Sequence, residues 1–460
     1  MKKYYFSAVV LLCSLLSFSL TASAQVSTKV VSVPSCQGDT NYTIGRVSTD
    51  GDHIISFHHN GNKNEFHWSD VTNMITRKFE IPMLINDFEV YNGFVFFCGS
   101  YLGKGVVGYF SEDAFINGFN QNPLPSLPYI FYPDHNFSYF TIAHVENMTR
   151  LEVYLQPEEK MITIAAVGEM FNYLTDPRTN IFVIKLGQIY SNTAYFEYYP
   201  LLFYVGSPYR LIEDVAITDN YIVTSGVYKY GTQDYILMTR IDKNNTSTIN
   251  YSWHDESAGD MNSHYYSIET TKGDEVVISS LLDNPTVQSF VIPLHVFDAS
   301  ILNFINSQIV PIYQKTEFNN DMQFFWEDNS LLLLQRNYYP STSSFQNPVI
   351  YDLLPYNTTP YTTNTIYDDN GNNYNSLDRF LNYRFLASGE SNTLEHLFML
   401  RDKNASFQST CFKTLQHNVR PVKPPVLFHS DSLPANQNSE IFKTIYPSVN
   451  ALLMNEDCNQ

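Results

Sequence analysis

The sequence predicts an all-β protein, and three observations support this prediction. Short segments rich in aromatic and β-branched residues, typical of strands, are separated by turn-forming residues along a chain of 460 residues with 34 Tyr and 33 Phe. Amphipathic segments with convincing helical periodicity are absent from the sequence. A strand–turn–strand pattern also recurs along the chain, which indicates repeated structural units.

The repeat is clearest where residues 84–99 align without gaps with residues 211–226. Both copies contain an acidic or amide residue, an Asp, a strand, a two-residue turn, an apolar strand and a Gly. Weaker copies begin at Asn320 and after Lys272-Gly273. Predicted starts for the first strand of each unit lie near Tyr42, Asn86, Arg150, Ile212, His264, Asn320 and Leu377.

Units of three or four strands repeated in this way resemble the β-propeller architecture, whose repeats of roughly 40–50 residues form blades around an axis. The resemblance implies a seven-bladed β-propeller over residues 25–415, followed by a short C-terminal appendage. A single blade cannot bury both faces of its sheet, so neighbouring blades cover one another. The Trp-Asp, kelch Gly-Gly and Asp-box signatures of characterised propeller families are missing from the sequence. Two β-sandwich domains are the alternative architecture.

Residues 1–24 are predicted to be a secretory signal peptide. Lys2 and Lys3 precede an apolar segment over 6–20, and Ala22-Ser23-Ala24 fits a cleavage site before Gln25. The style of this signal is typical of bacteria, so we expect export to the periplasm, the outer surface or the medium. No transmembrane segment is expected after signal removal.

The two ends of the remaining chain are predicted to differ in role. Val26–Val33 alternates like a strand and is expected to close the ring beside Phe407–Phe412. Residues 416–460 are predicted to be a linker and tail, with a stiff Pro-rich connector over 420–425 and a weakly helical segment over 441–454.

Four cysteines lie beyond the signal peptide, at positions 36, 98, 411 and 458. Two disulfides would allow three connectivities. A Cys36–Cys411 bond is one of these, and it would join the ends of the predicted ring. Cys98 lies in an apolar strand and is predicted to be a buried free thiol.

Charge and motifs exclude several function classes. With 27 Lys+Arg against 46 Asp+Glu, the formal net charge of −19 argues against binding to a phosphate backbone. The sequence contains neither a nucleophile elbow nor a Gly-rich phosphate loop. No cofactor or metal is predicted; Ca²⁺ or another divalent ion is the alternative, because Asp368–Asn373 resembles a calcium loop in composition, although its spacing does not fit one.

Four aspartates occupy the same place in the repeat: Asp87, Asp214, Asp321 and Asp378. In a propeller, each would open a first strand near the mouth of the central channel. Together they could hold a cation or a polar ligand. Alternatively, each carboxylate accepts backbone hydrogen bonds within its own turn.

A second candidate site contains His254, Asp255 and His264, in a segment rich in carboxylates before the predicted fifth unit. Imidazoles and carboxylates together can bind a ligand or a divalent metal, but the spacing matches no helical metal motif. The alternative is a solvated connection between blades.

From these features we expect an exported, non-catalytic binding module. Its ligand would be a glycan or a surface protein held by inter-blade loops, with exposed tyrosines such as Tyr228 and Tyr230 able to stack on sugars. A secreted carbohydrate-active enzyme with carboxylates at the channel mouth is one alternative. A structural subunit of an envelope assembly is the other.

Overall fold

The computed structural model of the chain is built mainly from β-strands. It describes the backbone of residues 29–33, 43–50, 53–60, 63–70, 75–81, 83–91, 93–101, 103–112, 115, 129–131, 144–156, 161–171, 177–187, 194–200, 210–231, 233–256, 262–284, 289–312, 320–325, 330–339, 344–353, 362–368, 373–380, 383–390, 396–402, 412–418, 420–434 and 456–458. The side chains it describes lie mainly within 53–112, 147–185, 211–308 and 422–432. Within these described residues, no helix has the length and apolar character needed to cross a membrane.

The described strands form seven antiparallel sheets, which we number in chain order. Sheet 1 contains β2 (Thr43–Asp50), β3 (His53–Asn60), β4 (Lys63–Asp70) and β5 (Ile75–Glu80). Sheet 2 contains β6 (Leu84–Tyr91), β7 (Phe94–Tyr101), β8 (Lys104–Ser111) and β9 (Tyr129–Phe131). Sheet 3 contains β10 (His144–Gln156), β11 (Met161–Phe171), β12 (Pro177–Gly187) and β13 (Ala194–Pro200).

The remaining sheets follow the same order of neighbouring strands. Sheet 4 contains β14 (Arg210–Ile217), β15 (Tyr221–Tyr230), β16 (Gln233–Asp242) and β17 (Thr248–Asp255). Sheet 5 contains β18 (Asn262–Thr270), β19 (Glu275–Asn284), β20 (Ser289–Asp298) and β21 (Asn303–Ile312). Sheet 6 contains β22 (Asn320–Phe325), β23 (Ser330–Tyr339), β24 (Ser344–Leu353) and β25 (Thr362–Asp368). Sheet 7 contains β26 (Asn373–Phe380), β27 (Tyr383–Glu390) and β28 (His396–Asp402), with β1 (Lys29–Val33) as its fourth strand.

The first strands of the sheets contact one another in a closed circle. The circle runs β2, β6, β10, β14, β18, β22, β26 and back to β2. Small sheets arranged around one axis, each packed on two neighbours, form a β-propeller. The predicted all-β propeller fold is therefore confirmed, whereas two sandwiches would each have two sheets packed face to face. All seven predicted first-strand positions lie within these strands or one residue before them.

The core lies between adjacent sheets. Between sheets 1 and 2, Phe66 packs edge-on against Phe88 and Phe110, with ring centroids 5.3 and 5.4 Å apart. Similar apolar clusters join sheet 3 to sheet 4, and sheet 4 to sheet 5. Residues on both faces of a strand are thus buried, which explains the nearly continuous apolar composition of β7 and β16.

The N-terminal strand closes the ring, as predicted, but on a different partner. β1 pairs with β28, with Val33 opposite His396 and Lys29 opposite Leu400. The prediction of a partner over Phe407–Phe412 is wrong, because the apolar run within His396–Asp402 supplies the third strand of sheet 7. Phe412 instead begins the strand β29 (Phe412–Asn418), which pairs with β25 of sheet 6.

The segment predicted as a linker and tail adds further strands to the outer edges of the sheets. After β29, β30 (Arg420–Pro421) pairs with β21 of sheet 5, and β31 (Val426–Pro434) pairs with β17 of sheet 4. A last strand, β32 (Glu456–Cys458), pairs with β5 of sheet 1. We call residues 412–434 the C-terminal strap. The helical segment predicted over 441–454 lies outside the described residues.

Candidate functional site

The first candidate group, the recurrent aspartates, joins neighbouring sheets. Asp87 is 1% exposed. Its Oδ1 accepts a hydrogen bond from the N–H of Phe88 at 2.9 Å, and its Oδ2 accepts one from the N–H of Leu151 in sheet 3 at 2.9 Å. The carboxylate therefore connects the first strands of sheets 2 and 3.

Asp214 makes the equivalent connection between sheets 4 and 5. Its Oδ1 accepts from the N–H of Val215 at 3.0 Å. Its Oδ2 accepts from the N–H of Ile268 and from the hydroxyl of Ser267, both at 3.1 Å. The repeated Asp thus has a repeated structural role at two described positions, and its use as a ligand stays a prediction.

The glycine of the repeat belongs to the same joint. The pairing register shifts just before each aspartate, in β6 and in β14. A Cβ on Gly99 would lie 1.9 Å from the carbonyl oxygen of Leu84, and a Cβ on Gly226 would lie 1.9 Å from that of Leu211. Because no side chain fits there, the Asp and the Gly of the repeat together specify one bulged joint, by which we mean the bulge that connects a first strand to the first strand of the next sheet.

The other two predicted aspartates are less fully described. Asp378 is partly buried in β26 and interacts with a neighbouring group. Asp321 lies in β22, and its side chain falls outside the described residues. In the described residues, no group of three or more His, Cys, Asp or Glu side chains is arranged to hold a metal ion.

A glutamate that the sequence analysis missed lies among the first strands. Burial raises the pKa of Glu152 in β10 well above its usual value, and the negative charges of Glu89, Glu269, Asp214 and Asp87 raise it further. Glu152 lies two residues after the register shift of β10, as Glu89 does in β6 and Glu269 does in β18, whereas the sequence analysis selected only the Asp of the repeat. A carboxyl group whose pKa is raised by burial and by neighbouring carboxylates could act as a proton donor.

The second candidate group lies in the interface between sheets 4 and 5. His254 in β17 is completely buried, and its Nε2 lies 2.8 Å from the hydroxyl of Ser252. Its ring packs edge-on against Phe304 and Phe297, with centroids 4.7 and 5.8 Å away. Burial, and secondly the neighbouring His295, lower the pKa of His254 to about 3.

His295, which the sequence analysis did not select, organises the rest of this cluster. Its Nδ1 lies 2.7 Å from the hydroxyl of Ser307, and its Nε2 lies 2.7 Å from Oε1 of Glu256. Ser280 donates a hydrogen bond to the same carboxylate oxygen at 3.1 Å. Glu256 follows directly after β17, whereas both serines and His295 belong to sheet 5, so the cluster links the two sheets.

Ser307, His295 and Glu256 lie within hydrogen-bond distance of one another in that order, and they supply the same three kinds of group as a catalytic triad. Ser307 is only 1% exposed, however, and it faces His295 across the pair of strands β20 and β21. A substrate has no access to this hydroxyl, so the arrangement serves as a buried polar link. The alternative of a solvated connection between blades is wrong for His254, because this residue belongs to strand β17 and is buried between sheets 4 and 5. Asp255 is partly buried in β17, and His264 lies in β18 with its side chain outside the described residues.

An aromatic surface at the outer end of sheet 4 is the third candidate, and much of it was missed from the sequence. It comprises Tyr228, Tyr230, Tyr235, Tyr251, Trp253, Phe428 and His429, and we call it the sheet 4 aromatic surface. Phe428 and Tyr230 are each 58% exposed, and His429 is also exposed. The expected exposure is therefore confirmed for Tyr230 but is wrong for Tyr228, which is buried. The C-terminal strap therefore contributes two of the three exposed rings.

The exposed rings rest on buried ones. His429 packs on Trp253 with centroids 4.5 Å apart, and Trp253 stacks on the buried Tyr228 at 3.8 Å with an interplanar angle of 16°. Phe428 packs on the buried Tyr235 at 5.1 Å. Each exposed strap ring is thus held in place by a second aromatic layer.

A bulge places both strap rings on the same side of the sheet. Trp253 pairs with His429, but the next residue, His254, pairs with Leu427, so Phe428 has no opposite residue. Neighbouring residues of a strand normally point to opposite faces. Here the ring contacts of Phe428 and His429 are both with the face of sheet 4 that packs towards sheet 3.

Acceptor groups surround the aromatic rings. Asp431 of the strap accepts a hydrogen bond from the hydroxyl of Tyr251 at 3.4 Å. The side-chain oxygen of Gln233 accepts one from the hydroxyl of Tyr235 at 2.8 Å. Burial and the charge of Asp255 raise the pKa of Tyr235. The surface therefore combines exposed ring faces with a negative rim.

The cysteines are only partly described. Cys98 is a buried free thiol, as predicted, and its Sγ lies 3.7 Å from the carbonyl oxygen of Met148. Cys36 and Cys411, the predicted disulfide, lie outside the described residues.

Comparisons with known proteins add no functional assignment. No protein-family model and no curated protein matches the chain. Among solved structures, the chain is similar to the WD40 domain of coronin from Toxoplasma gondii, with 6% sequence identity and a TM-score of 0.40. The similarity covers 83% of this chain and 88% of that domain.

Proposed function

We propose that the protein is an exported β-propeller, each of its seven sheets being one blade, that binds a glycan or a surface protein without chemistry. The observation that supports this function is the sheet 4 aromatic surface. Exposed aromatic rings with a polar rim are typical of binding surfaces, because they supply large contact area while losing little conformational entropy. The closed ring of sheets gives this surface a rigid support.

A thermal-shift screen of the purified protein tests the function. It uses neutral, anionic and cationic polysaccharides, with EDTA and divalent metal ions as separate additions. A ligand present at about 100 times its Kd stabilises the folded state by about 2.7 kcal/mol, enough to raise the melting temperature measurably. A shift with one class of polysaccharide supports a glycan ligand. No shift with any polysaccharide would exclude a glycan as the ligand. The binding-module proposal would then require that the protein captures a defined envelope protein.

Export is tested separately, by expression in a bacterial host and N-terminal sequencing of the exported product. The proposal requires a mature chain that starts at Gln25. A full-length protein that remains in the cell would contradict the exported location.

A carbohydrate-active enzyme is the second candidate, and one observation favours it. Glu152, with its raised pKa, lies among other carboxylates on the first strands, and glycoside hydrolysis uses a protonated carboxyl group together with an ionised one. Release of reducing sugar by the protein, lost in Glu152→Gln, would support this candidate. Binding without release of sugar would support the non-catalytic module.

A further inference from the structure

We infer that the sheet 4 aromatic surface binds the faces of neutral pyranose rings, with Phe428 and His429 as the stacking residues. The inference rests on the proposed function and names its ligand class and its site. It starts from the bulge between Trp253 and His254, which brings both strap rings to one face. Bulges commonly redirect a side chain where a strand has a functional role.

The second step is the rigidity of the rings. Trp253 and Tyr228 stack beneath His429, and Tyr235 lies beneath Phe428. A ring that is already fixed loses little rotational freedom when a ligand covers it, so more of the contact energy remains as affinity. Core packing alone does not account for these two rings, because Phe428 is 58% exposed and His429 is also exposed.

The third step concerns the charge of the ligand. Asp255 and Asp431 lie on the same face as the exposed rings, in register with the strap. Carboxylates accept hydrogen bonds from sugar hydroxyls, as does the amide oxygen of Gln233. The same carboxylates repel uronates and sulfates, and the net charge of the whole chain is −19. A neutral glycan can donate additional hydrogen bonds to these oxygens without this repulsion.

The choice between a glycan and a protein follows from the mixture of groups on the surface. Two aliphatic residues beside the bulge are exposed: Leu427 pairs with His254 and lies on the opposite face from the rings, whereas Val426 pairs with Asp255 on the ring-bearing face. Apart from Val426, the described part of the ring-bearing face therefore alternates aromatic rings with hydrogen-bond acceptors, and it presents no continuous aliphatic patch. Flat sugar faces with hydroxyls at their edges match this alternation.

Isothermal titration calorimetry with the full chain tests the inference. The ligands are soluble neutral polysaccharides (laminarin, xylan, mannan and starch), the anionic alginate, and the cationic chitosan. The variants are Phe428→Ala, Phe428→Trp and His429→Ala, with Ile301→Ala as a matched control, since Ile301 is 60% exposed on sheet 5 away from the surface. Thermal melts confirm that each variant is folded. Quenching of tryptophan fluorescence that is lost in Trp253→Phe reports contact near Trp253, because the chain also contains Trp68 and Trp326.

We expect one neutral polysaccharide to bind, with at least a tenfold loss of affinity in Phe428→Ala and in His429→Ala. Phe428→Trp and Ile301→Ala should bind like the wild type. Binding of a neutral polysaccharide that is equal in Phe428→Ala would overturn this site while leaving a glycan-binding function intact. Binding of alginate alone, or of chitosan alone with loss at high salt, would overturn the neutral ligand. Absence of binding to every polysaccharide would overturn both the inference and a glycan ligand.

Discussion

Acid should destabilise this propeller through His254, the buried histidine between sheets 4 and 5. Burial, and then His295, lower its pKa to about 3 in the folded protein, against an ordinary value of 6.5. The folded state therefore favours the neutral imidazole. Its contribution to stability is complete above pH 6.5 and is lost progressively as the pH falls from 6.5 towards 3, because the unfolded chain binds the proton first.

The size of the effect follows from this difference. Each pH unit within that window costs about 1.36 kcal/mol. Between pH 7.5 and pH 4.5, His254 should therefore lower the free energy of unfolding by about 3 kcal/mol. The imidazole has no room to leave the interface, because Phe297 and Phe304 pack against its ring.

Urea unfolding of the wild type and of His254→Gln at both pH values measures this contribution. Titrating groups that do not interact with His254 cancel in the difference between the two pH dependences, so this difference reports His254 together with its neighbour His295. The variant should be less stable at pH 7.5, but on going to pH 4.5 it should lose about 3 kcal/mol less stability than the wild type. Equal pH dependence in the wild type and His254→Gln would refute the reasoning.

Three further predictions concern the joints and the strap. Gly226→Ala should cost about 3 kcal/mol or more, because its Cβ would meet a backbone carbonyl at 1.9 Å. Gly231→Ala, where nothing lies within 4 Å but φ is +64°, should cost about 1 kcal/mol; equal costs by urea unfolding would count against the steric argument. Asp87→Ala should cost about 2–4 kcal/mol, because it leaves two buried N–H groups without their acceptor, whereas Asp298→Ala at an exposed turn should cost less than about 1 kcal/mol. A chain ending at residue 411 should keep a cooperative thermal transition at a lower temperature, since β1 still pairs with β28; a product without any transition would show that the ring requires the strap.

The first strands could be predicted from the sequence because their signals are local. Each hairpin has its own turn residues, and Gly93 and Gly273 adopt the positive φ values of +76° and +67° that such turns require. The aspartate and the glycine of the repeat also lie within one hairpin, so an alignment of two copies was enough to find them. The alignment did not show that both residues form the bulged contact with the neighbouring sheet, because that contact depends on how the sheets pack.

The contacts that could not be predicted join residues far apart in the chain. Tyr251 and Asp431 are 180 positions apart, and no local pattern specifies that β31 lies beside β17. The link between Glu256 and His295 similarly depends on which faces of two sheets meet. Phe428 is exposed on the ring-bearing face only because of a bulge, and strand alternation alone would have assigned it to the other side.

The strap pairs with its three sheets in the reverse of the order in which those sheets are synthesised. The ribosome makes sheets 4, 5 and 6 in that order, yet the strap adds strands to sheets 6, 5 and 4 in turn. A nascent chain that has already completed the hairpins of every sheet still lacks these outer strands. Bringing distant segments together costs loop-closure entropy before their stabilising contacts form. Docking of the strap should therefore be a late step of folding. Because Phe428 and His429 arrive with the strap, the exposed aromatic surface would be present only on molecules that have finished folding.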